Sequence, residues 1–100
     1  MQTDWNENHA FLRGEAAAVP VVSHENRGVT YWTFPLRVER LSGTEDRINV
    51  VVSAGQLEQC PVAEGAEVEI EGEVRSFNNK SGRGSRLVIT LHARSLRPGN

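Results

Sequence analysis

A single cysteine, Cys60, excludes any disulfide within the chain, and its surroundings, LEQCPV, hold no second cysteine or suitably spaced histidine for a zinc site. The thiol is read as a small packed hydrophobe. No apolar run approaches the length of a bilayer span. The opening MQTDWNENHAFLRGE lacks the basic-then-apolar order of a signal peptide, so the expected location is the cytoplasm, with no membrane partner. Phosphate-loop spacing is absent, because Gly82 and Gly84 lead into an alternating apolar run and not into a helix. His24 adjoins Glu25 with no nucleophile beside them, and His9 and His92 fall at strand positions where exposure is expected. The sequence therefore predicts no enzyme, no metal and no cofactor.

Excess positive charge is missing too. A net charge of -2 argues against coating duplex DNA by bulk electrostatics. The average hides a separation along the chain. From Glu58 to Glu73 there are six glutamates and no Lys or Arg; from Arg75 to Arg97 there are six cations and no Asp or Glu.

What the chain does have is alternation. One hundred residues make one domain with a single modest core. In HAFLRGEAAAVPVV, Gly14, Pro20 and the flanking valines favour a bent strand over a helix. SHENRG reads as a polar turn or loop. VTYWTFPLRVERL then sets Trp32, Phe34, Leu36 and Val38 against Tyr31, Thr33, Pro35, Arg37 and Glu39. After the turn SGTED, RINVVVS places Ile48, Val50 and Val52 inward, with Arg47, Asn49 and Val51 outward. AGQLEQCPVAEG can hold a short helix ended by Pro61. AEVEIEGEVRSF turns Val68, Ile70, Gly72 and Val74 inward and Glu67, Glu69, Glu71 and Glu73 outward. A loop, NNKSGRGS, precedes a last strand with Leu87, Ile89, Leu91 and Ala93 inward.

Five strands of this size leave exposed edges unless they close, which predicts an all-β, five-stranded barrel. A short helix between strands 3 and 4 is the order of the OB-fold. Gly14 and Gly72, on the core parity of the first and fourth strands, suit its sharp bends. An open α+β sheet is the alternative. The domain is expected over residues 8–97, with a flexible segment at 1–7 and a short tail at 98–100.

Several motifs then carry a family likeness. They are Leu12-x-Gly14, Phe34-x-Leu36, the run Gly65, Val68, Ile70, Gly72, Val74, Arg75, and Gly82 or Gly84 followed by Leu87 and Val88. The pattern covers about residues 8 to 97 and resembles the bacterial single-stranded DNA-binding proteins, in the compact form of the primosomal replication protein N branch. The resemblance implies an OB-fold, binding of single-stranded DNA without sequence preference, and assembly into dimers or tetramers.

Single strands are held by cations along the phosphates and by aromatic faces under the bases. The candidates on outward strand positions are Tyr31, Arg37 and Arg47. On or beside the loop between strands 4 and 5 they are Arg75, Phe77, Lys80, Arg83 and Arg86. Trp32 shares the core parity and is expected to pack; Phe11 points outward, and Trp5 lies in a polar segment. The row Glu67, Glu69, Glu71 and Glu73 should repel phosphates, so DNA is expected to avoid that face.

The leading function is thus non-enzymatic single-stranded DNA binding in replication, replication restart or recombination. A homodimer is expected, with a tetramer as the alternative, and replication or restart proteins as further partners. The competing readings are an OB-fold protein-interaction subunit without direct DNA binding, and an RNA-binding barrel.

Overall fold

The computed structural model describes residues 8–81 and 84–99; the side chains at 77, 79–81, 85 and 86 fall outside that description. So does the segment 1–7 with Trp5. The elements in chain order are β1 (Ala10–Ala16), β2 (Val21–Asn26), β3 (Val29–Glu39), β4 (Glu45–Ser53), α1 (Ala54–Gln59), β5 (Glu67–Ser81) and β6 (Gly84–Pro98). The sheet order is β1-β5-β6-β4-β3-β2, and β1 also pairs with β3, which closes a ring of five strands. Together with α1 between β4 and β5, this is the OB-fold.

Two strands stand where the sequence predicts one bent strand. β1 runs along β5 from Ala10 to Glu15, switches to β3 at Glu15 and Ala16, and breaks around Pro20. β2 then continues along β3 as a hairpin. The polar turn expected over SHENRG shrinks to Arg27 and Gly28, both at positive φ (54° and 81°). Two central residues of that kind give the tight turn whose twist matches its flanking strands.

The core follows the alternation closely. Phe34 and Leu36 from β3, Val50 and Val52 from β4, Val68 and Ile70 from β5, Leu91 from β6 and Ala16 from β1 are buried together. Trp32 and Leu57 pack against them. Gly14 and Gly72 mark close strand crossings, because a Cβ would collide with the carbonyl oxygen of Arg37 or of His92 respectively. Ser53 and Gln56 form a reciprocal cap that starts α1: Gln56 N–H donates to Ser53 Oγ at 3.1 Å, and Ser53 N–H donates to Gln56 Oε1 at 2.8 Å. Gln56 Nε2 also donates to the Ala93 carbonyl, tying the helix to β6.

The last two strands depart from expectation. The segment read as a loop, NNKSGRGS, is largely strand: β5 and β6 pair as a hairpin arm through Ser81 and Gly84. β6 meets β4 only at Thr90, Leu91 and His92. Below residue 90 it therefore has one neighbour, and the arm leaves the barrel. Leu87 and Ile89, expected inward, are 62% and 48% exposed for that reason. A register shift at Glu71/Gly72 restores inward parity at Leu96. Pairing runs through Pro98, and Gly99 N–H donates to the Glu67 carbonyl at 2.8 Å, so residues 98 and 99 are tied to β5.

Candidate nucleic-acid interface

Two hairpins, β2–β3 and β5–β6, rise on either side of the outer face of β3 and β4. Between them lies a cleft of two adjoining parts that share His24 and His92. One part, about 270 Å³, is lined by His24, Asn26 and Tyr31 on one side and by Glu73, Arg75, His92 and Arg94 on the other. The second, about 420 Å³, has Thr33, Asn49, Val51, Val88 and Thr90 along its floor and wall. Both volumes are at the small end for ligand clefts; polar groups dominate the lining of the first part and apolar ones that of the second.

Strand register builds this surface. Thr33 lies opposite Val51, and Val51 opposite His92, so alternate residues of three strands share one face. Tyr31 is placed by the short β2–β3 turn directly across from His24. Their rings stack, with centroids 5.0 Å apart and planes 15° from parallel. Ser23 Oγ lies 2.9 Å from His24 Nδ1. Val51, expected outward, is outward on the barrel yet buried beneath the cleft.

The predicted site residues separate into groups. Tyr31 and Arg75 come together in the cleft. Arg37 and Arg47 are cross-strand neighbours at the far end of the same face, six residues along β3 from Tyr31, or about 20 Å. Arg37 is held by Glu15 at 2.8 Å and by Glu45 at 3.4 Å. Arg47 is exposed, and among the described residues no carboxylate pairs with it. Phe77, Lys80 and Arg86 take register positions on the arm opposite Val88, Ser85 and Asn79; their side chains and the whole of Arg83 lie outside the described residues.

The divided surface expected from the charge pattern does not form. Antiparallel pairing sets the acidic strand against the basic one, with Glu69 directly opposite Arg97. Arg97 reaches Glu69 at 3.4 Å, Arg94 reaches Glu73 at 3.7 Å, and Arg75 donates to Glu73 at 2.8 Å. Arg13 approaches Glu69, and His9 pairs with Glu71. The row is a mixed patch, and its supposed repulsion of DNA loses its basis.

These pairs set the charge states. The hydrogen bond from Arg75, and then its charge, hold the Glu73 carboxyl below the usual glutamate range; His9 does the same for Glu71. Burial pushes the His92 pKa down, helped by the nearby charges of Arg75 and His24 and opposed by Glu73. The sequence missed His24, His92, Arg94 and Asn26 as cleft residues. Only the outward parity of His24 with Tyr31 could have signalled one of them.

Among the described residues no helix is long and apolar enough to cross a membrane, and no group of His, Cys, Asp and Glu could hold a metal ion. No protein-family model matches the chain, and no curated protein matches it. A solved structure does: the dimeric N-terminal domain of PriB from Thermoanaerobacter tencongensis. It is 33% identical, superposes with a TM-score of 0.77, and the match covers 91% of this chain and 94% of that one. On that identity, coverage and shared OB-fold, the chain belongs to the PriB family, the primosomal branch that its sequence motifs resemble.

Proposed function

We propose that this protein binds single-stranded DNA with little regard to base sequence, as a non-enzymatic factor of replication or replication restart. The observation that carries this reading is the cleft between the two hairpins, which combines the His24–Tyr31 stack with Arg75 and Arg94. Stacked rings accept any base by its face, and arginines follow any phosphate. The outer face of β3 and β4 continues the path to Arg47, long enough for several nucleotides. Lys80, Arg83 and Arg86 are proposed as further cations of the site; Lys80 and Arg86 hold register positions on the arm. The protein works as a homodimer, a reading supported by the dimeric PriB domain it matches.

The test is fluorescence-quenching titration with oligo-dT of increasing length at two salt concentrations. Binding should weaken steeply with salt, and affinity should rise with length until the site is filled. Absence of binding at low salt would overturn the reading. The alternative, a protein-interaction subunit without DNA binding, draws on exposed Phe11, Val21, Val22 and Leu41. It predicts that failed titration together with a stable complex with another replication protein.

A further inference from the structure

Among the residues lining the smaller part of the cleft, Glu73 carries the only carboxylate. One of its oxygens faces each of the two cleft arginines: Oε1 lies 2.8 Å from Arg75 Nε, and Oε2 lies 3.7 Å from Arg94 Nη2. The neighbouring acids of β5 are engaged elsewhere, Glu71 by His9 and Glu69 by Arg13 and Arg97. A carboxylate bridging two guanidinium groups takes the place that a phosphodiester oxygen would take, since both are anionic acceptors for the same donors.

Resting on the reading above, we propose that Glu73 is a built-in competitor for the nucleic-acid phosphate, holding Arg75 and Arg94 until a bound strand displaces it. The exchange replaces one anion on the arginines with another, so each phosphate contact made there gains less than it would at a free cation. Both arginine side chains are more than half exposed, which lets them turn from Glu73 to a strand without disturbing the core. Glu73 is anionic at neutral pH, as any glutamate of ordinary or lowered pKa is, and its contact with Arg75 extends that competition to lower pH. Glu73 thereby sets the affinity and the salt dependence of the site.

Oligo-dT titration of the wild type, Glu73→Gln and Glu67→Gln separates the possibilities. Glu67 is exposed on the same strand and outside the cleft, so its variant removes the same charge without freeing the two arginines. Glu73→Gln should bind about three- to tenfold tighter, the range for releasing one or two partly exposed ion pairs. Its plot of log affinity against log salt should steepen, because no displaced carboxylate is left to take up a cation as the strand binds. Glu67→Gln should stay within about twofold of wild type. Glu73→Asp, which keeps the charge but draws it back from Arg94, should gain less than Glu73→Gln and guards against misfolding of that variant. Wild-type binding with Glu73→Gln equal or weaker, or with an equal gain in Glu67→Gln, overturns the competitor role alone. No wild-type binding at low salt overturns the single-stranded DNA reading, and the competitor role with it.

Discussion

The His24 imidazole lies parallel to the Tyr31 ring, 15° off, with 5.0 Å between centroids, across the β2–β3 hairpin. The contact fixes the orientation of the one tyrosine in the chain at the mouth of the cleft. Replacing Tyr31 with Ala should cost about 1–3 kcal/mol of oligo-dT affinity, the worth of one stacked base, while Tyr31→Phe should retain it. Equal losses in the two variants would assign the role to the hydroxyl and not to the ring.

Gly72 sits against the His92 carbonyl at the crossing of β5 and β6, where the register shifts. The obstacle is backbone and cannot rotate away. Gly72→Ala should therefore destabilise the fold by about 2–3 kcal/mol, as over-packing does. Urea denaturation reads the change as a lower midpoint; an unchanged midpoint would show that the strands can separate freely.

Arg27 holds a positive φ without being glycine. A side chain with a Cβ is disfavoured there, and asparagine is tolerated best among non-glycine residues. Arg27→Asn should raise stability by about 0.5–1 kcal/mol through the turn alone. Thermal unfolding should show a higher midpoint, with DNA affinity within about twofold unless Arg27 touches the strand.

His92 has a lowered pKa in the folded protein, first because of burial and then because of Arg75 and His24. The folded state thus binds fewer protons than the unfolded chain between the two pKa values. Its contribution to stability is complete above the ordinary histidine value and is lost as the pH falls toward the folded one. Urea midpoints from pH 8 to 5 should fall less steeply in His92→Gln than in the wild type. Parallel curves would remove His92 from the account. Glu71 and Glu73 act in a lower window, where acid protonates them and releases their cation partners.

The barrel was legible because its signals are local. Alternation placed Phe34, Leu36, Val50, Val52, Val68 and Ile70 inward, and all six are buried. AGQLEQCPVAEG was legible as a short helix, while the Ser53–Gln56 capping box that starts α1, a local signal too, went unread. Gly14 and Gly72 stood out as non-branched positions within strands, and the structure supplies the carbonyls they make room for. The cleft was legible in part: Tyr31 and Arg75 face it, while Arg37 is occupied by Glu15 and Glu45.

By itself, the sequence determined the strand faces, the five-strand order and the short helix, since these depend on parity, turns and caps within a few residues. Only the tertiary structure decided that β6 leaves the barrel before residue 90, because that depends on where β4 stops pairing with it. Leu87 and Ile89 keep the inward parity and lose the core to pack against. The same long-range register turned two opposite charge runs into cross-strand ion pairs and brought His92 up to His24 and Tyr31. Coulomb attraction acts through space, so charges far apart along the chain are neighbours only once the strands have paired.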